Sequence, residues 1–136
     1  MIAKQQAAYR KARRNGEYQL TCAVAQYLDA VLDPASARYS HIPNGERRDA
    51  RTGAKLKKMG VKPGWADFAI VYGYGPLAAD PPATIFIELK NGSGLSQSQK
   101  DFAAWCQAVG QPYHICKSID DVKAVLAKHQ VPVRGR

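Results

Sequence analysis

The stretch Ile85-Phe86-Ile87-Glu88-Leu89-Lys90 decides the reading of this chain. The run is apolar and strand-like, and period-two alternation puts Glu88 and Lys90 on one face at its end. Upstream lies a second apolar strand, Asp67-Phe68-Ala69-Ile70-Val71-Tyr72, with an acid at its start. Between them Gly73 to Pro82 is rich in Gly and Pro, which marks a loop. In an antiparallel hairpin closed by that loop, Asp67 and Glu88 lie equally far from its centre. They are then cross-strand neighbours, about 5 Å apart at Cβ. Two carboxylates that close repel, and burying both is costly unless a cation or proton sits between them. The adjacent lysine points to chemistry on an anion rather than to calcium storage.

The flanking sequence supplies helices and two further strands. From Glu17 to Leu32, the residues Leu20, Val24, Tyr27, Leu28 and Val31 recur at helical spacing. Asn15-Gly16 is the expected start of that helix, and Asp33-Pro34 ends it. Arg38 to Ile42 reads as a short strand, and Pro43-Asn44-Gly45 as a turn. Glu46 to Met59 is charged and broken at Thr52-Gly53, giving one or two short helical pieces or a mobile basic loop. Pro63-Gly64 is a turn, and Asn91-Gly92-Ser93-Gly94 a flexible link. A helix begins at Ser96, with a stripe of Phe102, Ala103, Cys106 and Val109, and stops at Gly110. Tyr113 to Cys116 is a strand. Ser118 with Asp121 caps a last helix, buried through Ile119, Val122 and Leu126. The expectation is an α/β domain with a mixed sheet flanked by helices, in the order α-β-(α)-β-β-α-β-α. It spans residues 16–130, between a basic arm (1–15) and a basic tail (131–136).

The bulk numbers fit one domain of 136 residues with one core. The composition excludes disordered and collagen-like chains. No apolar run approaches the ~18 residues of a membrane span, so no membrane partner is expected. The basic N-terminus lacks the apolar run of a secretory signal. Three cysteines, Cys22, Cys106 and Cys116, lie in apolar segments without metal-ligand spacing. They read as reduced, buried thiols in a cytoplasmic protein. The net charge of +9, from twenty Lys and Arg against eleven Asp and Glu, calls for a polyanionic partner. Nucleic acid comes ahead of an acidic membrane; the plain alternative is a solvated basic surface. The cations cluster as Arg10, Lys11, Arg13 and Arg14, then Arg47, Arg48, Arg51, Lys55, Lys57 and Lys58, with Lys62 next and Arg134 and Arg136 last.

Four segments in order resemble the VRR-NUC (virus-type replication-repair nuclease) family of the PD-(D/E)xK nuclease superfamily. They are His41-x-Pro43-Asn44-Gly45, Gly60-Val61-Lys62-Pro63-Gly64-Trp65-Ala66-Asp67, Glu88-Leu89-Lys90 and Leu95-Ser96-x-x-Gln99. The resemblance runs from about Glu17 to about Leu126. It implies a restriction-endonuclease-like core and a metal-dependent endonuclease that hydrolyses DNA phosphodiester bonds. Asp67 and Glu88 then match the carboxylates that hold Mg²⁺ or Mn²⁺, joined by the Leu89 carbonyl and by Glu17 on the first helix. Lys90 matches the lysine that orients or activates the attacking water, and Gln99 the glutamine that opens the following helix. The superfamily's proline before the first aspartate is replaced by Trp65-Ala66.

Residue patterns agree with these roles. Glu17 continues the core-facing stripe at Leu20 and Val24, an odd place for an acid without a task; a helix-dipole role is the alternative. Gln99 points inward with Phe102 and Cys106, and also fits a capping box with Ser96. A structural salt bridge is the alternative for Glu88 and Lys90. His41 is a metal-site neighbour, a phosphate contact or a general base, or, as a lone histidine at a strand end, structural; it is left out of the catalytic set. Tyr72 and Tyr74 either stack on bases or shape the hairpin. The cations Arg13, Arg14, Arg47, Arg48, Arg51, Lys55, Lys57, Lys58 and Lys62 are the expected DNA contacts. Small stand-alone members of the family resemble phage or bacterial junction-processing homodimers, so the expected substrate is branched DNA, a four-way (Holliday) junction first. The alternatives are a monomeric flap, nick or end-processing nuclease, and a non-catalytic nucleic-acid-binding module. No organic cofactor is expected.

Overall fold

The computed structural model describes residues 3–43 and 50–135, with the backbone alone for 9–15. The elements run α1 (Ala3–Val31), β1 (Ala37–His41), α2 (Ala50–Lys58), β2 (Phe68–Tyr72), β3 (Ala83–Leu89), α3 (Gln97–Val109), β4 (Tyr113–Cys116) and α4 (Ile119–Lys128). The strands form one mixed sheet in the order β1-β2-β3-β4. The first three are antiparallel neighbours, and β4 lies parallel to β3 after a crossover through α3.

Alternation along β2 and β3 gives the sheet two different faces. Phe68, Ile70, Ile85 and Ile87, all fully buried, meet Val24 and Leu28 of α1 and Val122 and Leu126 of α4 in the main core. The opposite face carries Phe86 and Glu88, and α3 covers part of it with Phe102 and Cys106. Burying a side chain the size of Phe68 or Ile70 stabilises by about 1.5–3 kcal/mol, and this face supplies most of the fold's apolar contacts.

Helix α1 does not begin at Asn15-Gly16 but runs through it from Ala3. One interior glycine costs a helix only about 0.5–1 kcal/mol. Here it also leaves room for a neighbour: a Cβ on Gly16 would lie 2.2 Å from Asn91 Nδ2. Helix α2 likewise passes through Gly53, and none of its residues is buried. Val109 is exposed, because α3 presents only Phe102 and Cys106 to the sheet and Val109 ends the helix. Cys22 is only partly buried, whereas Cys106 and Cys116 are buried, and all three thiols are free. At the C-terminus Val131 is buried in the main core, and Val133 bridges to Leu32. No helix among the described residues is long and apolar enough to cross a membrane.

Candidate active site

The hairpin register puts two carboxylates side by side. Phe68 pairs with Ile87 and Tyr72 with Ala83, so Asp67, one residue before β2, faces Glu88 on the α3 side of the sheet. Asp67 is fixed from several directions. The Leu89 amide donates to its Oδ2 at 2.6 Å. Its carbonyl accepts from the Ile42 amide at 2.7 Å and from His41 Nδ1 at 2.8 Å. A carbonyl only accepts, so His41 carries its proton on Nδ1 in that contact.

Glu88 is 2% exposed. Its Oε1 accepts from Gln99 Nε2 at 2.9 Å and faces Lys90 Nζ at 3.8 Å. Its Oε2 is buried and has no hydrogen-bond partner. Burial, then the Asp67 charge, pushes the Glu88 carboxyl up to about 8, against the pull of Lys90. Burial also raises Asp67, opposed by the Leu89 amide and by the charges of His41 and Lys90. A buried acid beside a half-buried one, with one carboxylate oxygen orphaned, is stabilised only by a cation or a proton between them. Oxygen donors of this kind suit Mg²⁺, which takes one or two carboxylates and keeps several waters.

Gln99 ties the centre together. It sits at the third position of α3, whose cap is Ser96. Its Oε1 accepts from the Ser96 amide and from Lys90 Nζ, each at 2.9 Å, while its Nε2 holds Glu88. Capping and an inward role are therefore one arrangement. The bidentate amide fixes a buried lysine and a buried acid relative to each other, and the capping box fixes the amide.

Glu17 comes near without joining the pair. It lies on α1, accepts from Ser93 Oγ at 3.5 Å, and its charge contributes to raising Glu88. Among the described residues, no group of three or more His, Cys, Asp or Glu is assembled as a metal site. Asp67 and Glu88 are thus the close pair, with Leu89 between Glu88 and Lys90 in sequence. Arg51, Lys55, Lys57, Lys58 and Lys62 are all exposed, four on α2 and Lys62 just after it. Arg13 and Arg14 lie on α1; their side chains, together with Asn44, Gly45, Arg47 and Arg48, fall outside the described residues. Tyr72 is buried and packs edge-on against Tyr74, whose hydroxyl donates to the Gln130 carbonyl, so both shape the hairpin.

His41, read from the sequence as structural, holds the Asp67 backbone. One neighbour escapes a sequence reading. Tyr113, paired with Phe86 across β3 and β4, buries a hydroxyl without a partner. Burial raises its phenol first, and the nearby Glu88 charge adds to that.

The fold is shared with a solved structure described as a VRR_NUC domain protein. The two chains superpose with a TM-score of 0.60 at 20% identity, over 86% of this chain and 90% of that one. No family model matches the sequence, and no curated protein does. At that identity the match shows the fold.

Proposed function

We propose that this chain is a nuclease that hydrolyses DNA phosphodiester bonds with a divalent cation, Mg²⁺ or Mn²⁺, and water as nucleophile. One observation carries the reading: buried Glu88, with an orphaned carboxylate oxygen, has half-buried Asp67 as its cross-strand neighbour and a buried lysine beside it. The VRR_NUC fold supports it. Asp67 and Glu88 would hold the cation, helped by the Leu89 carbonyl and by Glu17. When bound, such a cation neutralises charge building on the phosphate and acidifies water.

The chain's own groups do the rest. Lys90 has an ammonium that Gln99 and Glu88 fix at the rim of the pair. It orients the attacking water and stabilises the charge on the phosphoryl oxygens. As the water oxygen forms its bond to phosphorus, its proton passes to solvent or a neighbouring base. The bond to the leaving oxygen breaks and that oxygen takes a proton. Gln99 fixes Lys90 through a planar amide, so the lysine loses little freedom when substrate arrives. The cations of α2, with Lys62, Arg13, Arg14, Arg47 and Arg48, bind phosphates, and affinity falls steeply with salt.

The substrate within this reading is branched DNA, a four-way junction first, cut in the bacterial or phage-infected cytoplasm. Two symmetric cuts suit a two-fold homodimer. The test compares cleavage of a labelled four-way junction, a 5′ flap and plain duplex, with light scattering for the assembly state. Paired symmetric cuts by a dimer are expected. A monomer that prefers the flap would overturn the junction and leave the nuclease; no cleavage of any substrate with either metal would overturn the nuclease.

A further inference from the structure

A row of aromatic rings borders the acids and takes no part in the chemistry above. Trp65 lies on Phe102 with ring centroids 4.8 Å apart and planes 30° apart. It also meets Phe86 edge-on at 5.7 Å. Trp105 stacks on the same Phe102 at 5.9 Å, again with planes 30° apart. Phe102 is buried, yet Trp65 keeps 37% of its surface open and Trp105 keeps 53%. Phe86 projects from the same face of β3 as Glu88, two residues away, which is about 7 Å along a strand. The Trp65 ring therefore sits beside the carboxylate pair.

Its backbone is pinned. Gly64 has φ +87°, and a Cβ there would lie 2.2 Å from the Ser98 carbonyl oxygen. The loop before Asp67 can press against α3 this closely only because residue 64 is glycine. Ala66, Phe102 and Cys106 already fill the small core on this side. The open Trp surfaces are thus large and backed by the buried Phe102 ring.

Charge selects what lands on them. Lys62 precedes Trp65 by three residues, and Arg51, Lys55 and Lys58 recur at helical spacing along one face of exposed α2. A second copy of the chain, itself at +9, would bring like charge to this edge. An open aromatic face on a chain with a net charge of +9 suits a nucleobase with its phosphates, the combination that single-strand binders use.

We propose that Trp65, with Trp105 beside it across Phe102, is a stacking platform for an unpaired nucleobase next to the bond that is cut. This deepens the nuclease reading and rests on it: in the branched DNA that is cut, a nucleotide at the branch point leaves its pair and stacks on Trp65. Trp65 and Trp105 are the chain's two tryptophans, so tryptophan emission reports this surface alone. The experiment titrates the full chain, in EDTA, with an oligothymidylate and with an abasic oligonucleotide of the same length. The phosphates match and only the bases differ. The thymidylate should quench the emission and the abasic strand should not. Trp65→Leu keeps an apolar side chain against Phe86 and Phe102. It should weaken binding to a gapped duplex about 10-fold, the loss of one base stack, while plain duplex binding stays within about 2-fold. Equal quenching by both oligonucleotides would overturn the platform. So would a dimer that Trp105→Ala converts to monomer, which would give the face to a second copy. Base-dependent quenching without any cleavage would keep the platform and remove the nuclease; cleavage without such quenching would do the reverse.

Discussion

Replacing Glu88 with Gln in metal-free protein perturbs the carboxylate pair most directly. The Glu88 carboxyl is pushed up to about 8 by burial and by Asp67. An unfolded glutamate titrates near 4.3. Between about pH 4.5 and about pH 8 the folded chain therefore keeps a proton that the unfolded chain has released. Folding takes up a proton in that window, so stability falls as pH rises through it. At about 1.4 kcal/mol per unit, the full span amounts to several kcal/mol. Asp67 and Lys90 share the site, so the expected loss is about 2–4 kcal/mol, or about 10 °C in melting temperature for a chain of this size. A divalent cation competes with that proton. Mg²⁺ or Mn²⁺ should then raise the melting temperature more at about pH 8 than at about pH 5. Glu88→Gln should flatten the pH dependence and abolish most of the stabilisation by metal. The assay is thermal melting by circular dichroism across that window, in EDTA and in millimolar metal. Wild-type stability that rises between about pH 6.5 and about pH 8 in EDTA, above the range in which His114 and His129 titrate, would refute the reasoning, as would a Gln variant that keeps the wild-type slope there.

Gln99→Ala removes three contacts of 2.9 Å, to the Ser96 amide, Glu88 and Lys90. Denaturant titration should show a loss of about 2–3 kcal/mol, and single-turnover cleavage should slow about 100-fold because Lys90 is no longer positioned. His114 and His129 meet Nε2 to Nε2 at 2.8 Å, a contact that requires one neutral ring. Burial lowers both in the fold, with Lys128 and, for His114, His129 adding to it. The unfolded chain then binds protons more readily just below about pH 6.5, so stability is lost as pH falls through that region. His129→Gln should reduce this acid loss in urea melts, and an unchanged loss would exclude the pair as its source. Gly64→Ala forces a Cβ against the Ser98 carbonyl at φ +87° and should cost about 2–4 kcal/mol by thermal melting.

Much of the fold was legible because two periodicities carry it. Alternation in Phe68–Tyr72 and Ile85–Lys90, with a Gly/Pro loop centred between them, fixed the hairpin register and so the meeting of Asp67 with Glu88. Helical spacing found the inward side of Gln99 and the stripe through Val24 and Leu28. Local signals failed where tertiary contact overrode them. Gly16 read as a helix start, yet α1 runs through it, and the glycine there leaves space for Asn91. The hold of His41 on the Asp67 carbonyl spans strands far apart in sequence, and no spacing announces it. Tyr113 reaches the site through the parallel pairing of β4 with β3, a crossover register that a local pattern does not encode. The exposure of Trp65 and Trp105 likewise depends on how α3 settles on the sheet.

The central claim is that Lys90 acts on a phosphate engaged by a cation that the Asp67–Glu88 pair holds. Cleavage and binding of one labelled four-way junction, by the wild type and by Lys90→Ala in Mg²⁺, test it most directly. The variant should bind the junction within about 3-fold of the wild type, since one buried lysine contributes little to the phosphate contacts of the exposed cations, and should leave it uncut. A Lys90→Ala protein that cuts at the wild-type rate would contradict the account.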